Sequence, residues 1–268
     1  MTLSEFNDAG HKLSMEAGVL DSLHGYFALH SSRLFISCRQ FSLFDGPLGN
    51  TLEIGPFFSY VPFIIRGNAS NYTVVEGDDP AVYPLQPLYK RAGIKTNFVD
   101  LFDIFGPVRD APRKLPFPDG AFDTILCWET MEHFNFNPVS FLHEMSRLLS
   151  PKGRICITVP NSASAQNIVR LITGWHDAQM VQAYLKFADY VSNGKTAFYG
   201  FHWHEYTADE LAELFAGCGF RADAGYFMAH LNNGKPSMLK KVLRVLNIAF
   251  CRAFPRYATN VQLVAVRA

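Results

Sequence analysis

Glu129, Glu132 and His133 lie within five residues of one another, in the stretch 115–134 that reads L-P-F-P-D-G-A-F-D-T-I-L-C-W-E-T-M-E-H-F. On a turn or in a first helical turn, residues i, i+3 and i+4 face the same way. Two carboxylates and an imidazole so placed suit a hard divalent cation such as Mg²⁺ or Mn²⁺ better than a soft-metal site. His202 or His204, in F-H-W-H-E-Y-T, could then add a ligand from the far side. The same groups could instead work without metal, His133 as general base and Glu132 orienting it. A purely structural role, with the imidazole capping a helix or packing, is the third reading.

A second set of polar groups ends apolar runs. Residues 51–54, 72–75 and 96–99 read as strands, and Glu53, Glu76 and Asp100 stand at or near their carboxyl ends. A carboxylate after the second strand of such a sheet can accept two hydrogen bonds from ribose hydroxyls. Asp100 could bind an adenine amino group, and Gly55 removes a side chain where a ligand would pass the backbone. Each alone reads equally well as a loop carboxylate in water. Three in register along one sheet edge point to a ligand site.

The elements that must hold these groups follow an alternating pattern. After a helix over 21–44, strands are expected at 51–54, 72–75, 96–99, 122–127 and 154–159, with helices between them at about 59, 85–92 and 137–149 and a loop over 101–114. The run 122–127 is nearly all apolar, as in a strand covered on both faces. Such alternation gives an α/β fold with a doubly wound, mostly parallel sheet and right-handed crossovers. Thr207-Ala208-Asp209-Glu210 is a capping box opening a further helix. Strands at 220–228 and 261–266, joined through a basic helix at 237–252, complete seven strands as an antiparallel C-terminal edge pair. The expected division is an N-terminal helical extension (1–48), a cofactor-binding core (49–160), a helical insertion or lid (161–205), and the C-terminal half of the sheet with its basic helix (206–268).

Composition narrows the function classes. In 268 residues, Lys+Arg and Asp+Glu are both 24, so a generally nucleic-acid-binding surface is not expected. The five cysteines are scattered without a C-x-x-C, which argues against a disulfide framework or a structural zinc site and fits the reducing cytoplasm. The polar, acidic start carries no signal-peptide pattern. No apolar run approaches the roughly 20 residues that span a bilayer.

Several stretches together resemble class I S-adenosylmethionine-dependent methyltransferases of the type 11-like kind. They are L-E-I-G at 52–55, V-V-E-G-D at 74–78, L-P-F-P-D-G-A-F-D-T-I-L at 115–126, E-M-S-R-L-L-S-P-K-G-R-I-C-I-T-V-P-N at 144–161 and H-E-Y-T-A-D-E-L at 204–211. The resemblance spans roughly 50–230 and implies a Rossmann-like fold, S-adenosylmethionine as cofactor and methyl transfer; the acceptor is expected to be an oxygen of a sugar, glycolipid or small molecule, the basic C-terminal helix favouring a glycan or glycolipid. It puts Glu53 and Gly55 near the methionine part of the cofactor, Glu76 at the ribose hydroxyls and Asp100 with Leu101 around the adenine. Cys127 would offer backbone at the substrate edge. The Glu-x-x-Glu-His pattern is similar to metal-assisted O-methyltransferases of ubiquinone synthesis and to small-RNA 3′-end 2′-O-methyltransferases; there a divalent cation lowers the hydroxyl pKa. Carried over, the ligands are Glu129, Glu132, His133 and His202, and an RNA end becomes an alternative acceptor.

One departure stands out. The family's turn after the first strand carries two or three glycines, and here it reads Gly55-Pro56-Phe57-Phe58-Ser59. A catalytically inactive, binding-only relative is therefore an alternative. A nicotinamide-dependent oxidoreductase is disfavoured, because no G-x-G-x-x-G follows the first strand. Trp128, Phe134, Trp175, Tyr199, Phe201 and Trp203 could line an acceptor pocket. Residues 235–257 carry six Lys/Arg and no acid. That pattern permits peripheral contact with an anionic membrane at its inner, cytoplasmic face, or simply a solvated basic face packed on the sheet.

Overall fold

The computed structural model describes residues 1–17, 21–106, 114–174, 185, 202–229 and 237–268. Seven strands form one sheet: β1 (Gly49–Ile54), β2 (Ala69–Gly77), β3 (Lys95–Val99), β4 (Phe122–Trp128), β5 (Leu149–Pro160), β6 (Phe220–Phe227) and β7 (Asn260–Arg267). Their order is β3-β2-β1-β4-β5-β7-β6. The first five strands run parallel, and β7 lies antiparallel between β5 and β6.

Side-chain alternation explains why β4 reads as an unbroken apolar run. Ile125 and Cys127 enter a core on one face of the sheet, and Leu126 and Trp128 enter a second core on the other. Each face is covered, so both parities must be apolar. Each such side chain contributes about 1.5–3 kcal/mol through burial.

The described helices are α1 (Leu3–Ala17), α2 (Asp21–Gln40), α3 (Val61–Ile65), α4 (Gln86–Arg91), α5 (Leu101–Phe105), α6 (Pro138–Leu148), α7 (Ala165–Ile172), α8 (Ala208–Gly217) and α9 (Met238–Ala253). α6 opens on Asn137, whose side chain accepts from the Val139 amide, with Pro138 in the first turn. α8 carries the full reciprocal capping box of Thr207 and Glu210.

Three expectations are revised. The helix expected over 21–44 ends at Gln40, and a separate α1 precedes it. α1 and α2 cross closely: a Cβ on Gly10 would overlap the Phe27 ring. The expected loop after β3 begins with α5, because Asp100 caps it and Leu101 and Phe105 are buried in the core. β5 starts at Leu149, earlier than expected, with a register break opposite Phe122 and Thr124 that absorbs the turn at 150–153. Most of the segment read as a lid lies outside the described residues.

Strand order reverses between β1 and β4. In open α/β sheets the crevice beyond the carboxyl ends of the strands at such a switch is where ligands bind. Thr130 bridges the two strand ends there, its hydroxyl donating to the Ile54 carbonyl at 3.3 Å and to the Trp128 carbonyl at 2.9 Å.

Candidate active site

Glu53 and Glu76 reach the carboxyl ends of β1 and β2 almost fully buried. The Tyr72 hydroxyl hydrogen-bonds to Glu53. Burial raises the Glu53 carboxyl to about 8, against the Tyr72 hydrogen bond, which favours the charged form. Glu76 accepts from the Tyr89 hydroxyl at 2.9 Å and from the Phe57 amide at 3.4 Å. Burial raises it to about 7, opposed by those two hydrogen bonds.

The turn after β1 solves its missing-glycine problem in an uncommon way. Gly55 has φ +63°, and a Cβ there would stand 3.0 Å from Thr130. Phe57, a residue with a side chain, also takes a left-handed φ of 50°, at a cost of about 1 kcal/mol. Its ring packs edge-on against Tyr26 of α2, with centroids 5.0 Å apart, and against Phe58 at 4.8 Å. The N-terminal helices therefore hold the turn in shape.

The remaining residues of this edge have local roles as well. Asp100 accepts from the Phe102 amide at 2.9 Å as the N-cap of α5. Leu101 is buried. The Cys127 thiol is in the core and is pushed far up by burial, then by Glu132. Only its backbone is left for the crevice.

Beyond β4 the chain turns sharply. Glu129 has a left-handed φ of 48°, and its amide donates to the Thr158 carbonyl at 2.7 Å. Its side chain faces α2: Arg33 Nη1 lies 2.7 Å from Oε2, and Asn260 Nδ2 donates to Oε1 at 3.2 Å. Arg33 is one of three residues, Tyr26, His30 and Arg33, on one face of α2. The Tyr26 and His30 rings are 4.5 Å apart. Burial, and then the Arg33 charge, lower the His30 imidazole to about 3, so it is neutral at pH 7.

Glu132 sits in the single turn Met131–His133. It is 1% exposed, and among the described residues neither carboxylate oxygen has a hydrogen-bond partner. Burial, followed by the Glu129 charge, raises its pKa well above the ordinary carboxyl range. Its backbone carbonyl accepts from the Trp203 amide at 2.6 Å, which draws the segment at 202–206 against the turn. His133 Nε2 is 3.9 Å from Glu132 Oε1, too far for a direct hydrogen bond. The His133 and His202 rings lie 5.0 Å apart. His202 Nδ1 is 2.8 Å from Glu205 Oε1, and Asn167 donates to Oε2 at 2.9 Å. Burial raises the Glu205 carboxyl, but the bonds from His202 and Asn167 outweigh it, and its pKa ends below the ordinary value.

One ligand atom from each of Glu132, His133 and His202 falls within 4.8 Å of the others. Glu129 is turned toward Arg33 and Asn260 and is not in that group. His204 packs on Tyr206, with ring centroids 4.5 Å apart. Trp128 and Phe134 are core residues, against Phe41 at 5.7 Å and Phe136 at 4.6 Å, and do not form a pocket wall. Trp175, Tyr199 and Phe201 lie outside the described residues.

The sequence reading missed Arg33, Asn260 and Glu205. The spacing of Tyr26, His30 and Arg33 at i, i+4 and i+7 was a usable signal for a polar row beside the apolar stripe of α2. Nothing local marks Asn260.

Residues 39–224 match a family model described as a methyltransferase domain. A Methanocaldococcus jannaschii protein, MJ0638, is 40% identical over 50 residues; the match covers 19% of this chain and 21% of that relative. Among solved structures, the protein described as a methyltransferase in a Haloferax volcanii complex with the Trm112 methyltransferase activator aligns with TM-score 0.58 at 16% identity, over 89% of this chain and 92% of its own. A Thermotoga maritima S-adenosylmethionine-dependent methyltransferase aligns with TM-score 0.53 at 16% identity, over 92% and 95%.

Proposed function

The chain belongs to the class I S-adenosylmethionine-dependent methyltransferase family, and on that premise we propose that it methylates a hydroxyl oxygen of a sugar, glycolipid or small-molecule acceptor. The observation that carries this reading is the group Glu132, His133 and His202 beside the β1–β4 crevice, with a buried carboxylate lacking any described partner. In the transfer, the acceptor oxygen attacks the sulfonium methyl carbon, the sulfur–carbon bond breaks, and the hydroxyl proton leaves to a base. A sulfonium methyl needs no activation beyond alignment, so positioning supplies most of the acceleration.

On the cofactor side, Glu53 and Gly55 would face the methionine part, Glu76 the ribose hydroxyls, and Asp100 with Leu101 the adenine. Cys127 would offer backbone. Support comes from their position at the carboxyl ends of β1, β2, β3 and β4. A ribose at Glu76 would compete with Tyr89 and the Phe57 amide. The left-handed Phe57 supports an active enzyme over a binding-only relative, because the turn keeps a glycine-like shape without glycine.

On the acceptor side, His133 is the base in the metal-free reading. His202 supports it: bonded through Nδ1 to Glu205, it presents Nε2 as a second acceptor. Glu132 lies 3.9 Å from His133 and so would not orient it by a direct hydrogen bond; when protonated, which burial favours, it would donate a hydrogen bond to the acceptor. A second reading is favoured by the unpartnered oxygens of Glu132. With His133 and His202 they form a donor set of one carboxylate and two imidazoles, which fits a borderline divalent cation such as Mn²⁺ better than the Mg²⁺ expected from two carboxylates; such an ion would supply Lewis-acid lowering of the hydroxyl pKa. Glu129 could join it only by leaving Arg33. An RNA end remains a less favoured acceptor, given the neutral net charge.

Calorimetry with S-adenosylmethionine, followed by transfer of labelled methyl to candidate alcohols, tests the proposal. Measurable cofactor binding with methylation at oxygen supports it. Absence of binding at saturating cofactor sinks the enzyme reading. Undiminished transfer in EDTA removes the cation and leaves the histidine base.

A further inference from the structure

We propose that α9, together with the exposed end of α7, seats the carboxyl edge of the sheet on an anionic phospholipid surface. α9 is a well-formed helix whose described packing is chiefly with the turn Pro255–Tyr257 that follows it. Its inward side is marked by Cys251, buried, with Sγ 3.3 Å from the Tyr257 carbonyl. The opposite side is apolar and faces solvent. Val242, Val245, Leu246 and Ala249 recur at i, i+3, i+4 and i+7, and Val245 and Leu246 are 64% and 60% exposed. Such a stripe normally faces a core. Phe250 and Phe254, also exposed, extend it, with ring centroids 5.1 Å apart.

Charge selects the occupant. No Asp or Glu occurs after Asp223, while Lys240, Lys241, Arg244, Arg252 and Arg256 fall in or next to α9. A basic helix with an exposed apolar face and no acids is the pattern of a helix lying in a membrane interface. Lys241 and Arg252 border one edge of the apolar arc, where they can meet lipid phosphates while their stems lie along the hydrocarbon, whereas Arg244 falls on the Cys251 side. A second copy of the chain would set these cations against one another. No described helix is long and apolar enough to cross a membrane, so the contact is lateral.

The location gives the contact a purpose. α9 lies between the end of β6 and the start of β7, where Asn260 pairs with both Phe227 and Pro160. α7 leaves the same edge after β5, and its Leu171 and Ile172 are 72% and 79% exposed. Asn161 ties the two approaches, donating to the carbonyls of Arg256 and Ala258 at 2.8 Å and 2.7 Å. This edge also carries Glu132 and His133. A protein lying on α9 and α7 would open its crevice toward the headgroups, and under the O-methylation reading the acceptor would be an alcohol of an amphiphile.

The test is co-sedimentation of the full chain with vesicles of phosphatidylcholine alone or mixed with phosphatidylglycerol. It needs no turnover, so its failure is separable from failure of the methyltransferase reading. The proposal expects binding to the mixed vesicles that weakens as salt rises, with little binding to neutral ones. Lys241→Gln and Arg252→Gln should each lower partitioning about fivefold. Leu246→Asp should abolish it while leaving cofactor binding intact. No binding to anionic vesicles, or binding indifferent to these substitutions, overturns the proposal. So does a dimer by light scattering that Leu246→Asp dissociates, or an RNA mobility shift without vesicle binding.

Discussion

Glu76 and Glu132 are both carboxylates buried at the carboxyl edge of the same sheet, yet they are served differently. Glu76 has the Tyr89 phenol and the Phe57 amide, and Glu53 beside it has the Tyr72 phenol. Glu132 has no described partner for either oxygen. A buried carboxyl with its hydrogen bonds made is a finished piece of structure. One without them costs about 1–3 kcal/mol or more, and stays in a fold only where something else depends on it. The contrast separates two jobs on one edge. The β1–β2 side holds its shape without a ligand, whereas the side beyond β4 is left chemically incomplete.

The strongest way to break that contrast is to remove the imidazoles. The double replacement His133→Ala with His202→Ala should lower methyl transfer by about 10²–10⁴-fold while calorimetric cofactor binding is retained. If cofactor binding fell instead, the two sides would not be separate. Next comes the buried ion pair. Arg33→Met should cost about 3–5 kcal/mol in chemical denaturation, because it leaves the buried Glu129 without its cation and with only Asn260 as a side-chain partner. Adding Glu129→Gln should recover part of the loss.

Acidity offers a third test. Burial raises Glu53 above its unfolded value, so the native state keeps a proton that the unfolded chain releases. Its stabilisation is complete below pH 4.5 and is lost as pH rises to about 8. Thermal melts should therefore show stability falling across that window, by on the order of 5 kcal/mol from Glu53, and Glu53→Gln should remove its share of the slope and leave that of Glu76. The smallest effect is the sharpest. Glu76→Leu should destabilise by about 1–3 kcal/mol, since it leaves the Tyr89 hydroxyl unpaired. Glu132→Leu should be neutral or stabilising by about 1 kcal/mol while impairing transfer. Destabilisation of equal size by both would show that Glu132 is structural.

Most of the sheet was legible because its strands are buried on both faces and read as short apolar blocks between turns. α8 was legible from Thr207 and Glu210, whose capping pattern is local. α1 was not: few of its residues are fully buried, and a surface helix with a thin apolar stripe leaves a weak period. α5 was hidden because five residues are too few to show one. In the site, Glu132 and His133 were legible by adjacency, and His202 by residue type near a recognisable block. The partners of Glu129 were not, because Arg33 and Asn260 meet it only through tertiary packing. The carboxylates of the cofactor edge were found, but their tyrosines were not, since Tyr72 and Tyr89 look like ordinary strand and helix aromatics.

The hold on Glu129 also sets a schedule. Arg33 lies 96 residues before it and Asn260 131 residues after it. Contacts of such separation form late, after local ones. β7, which begins at Asn260, must also insert between β5 and β6. A chain still being synthesised can pair its first five strands, yet the core on one face lacks Val261, Leu263 and Ala265, and Glu129 lacks Asn260, until the last strand arrives. During that interval β5 presents an open edge, the part of the molecule most exposed to mispairing. Competence to act is thereby tied to the arrival of the C-terminal strand, and truncation before Asn260 should cost both stability and activity.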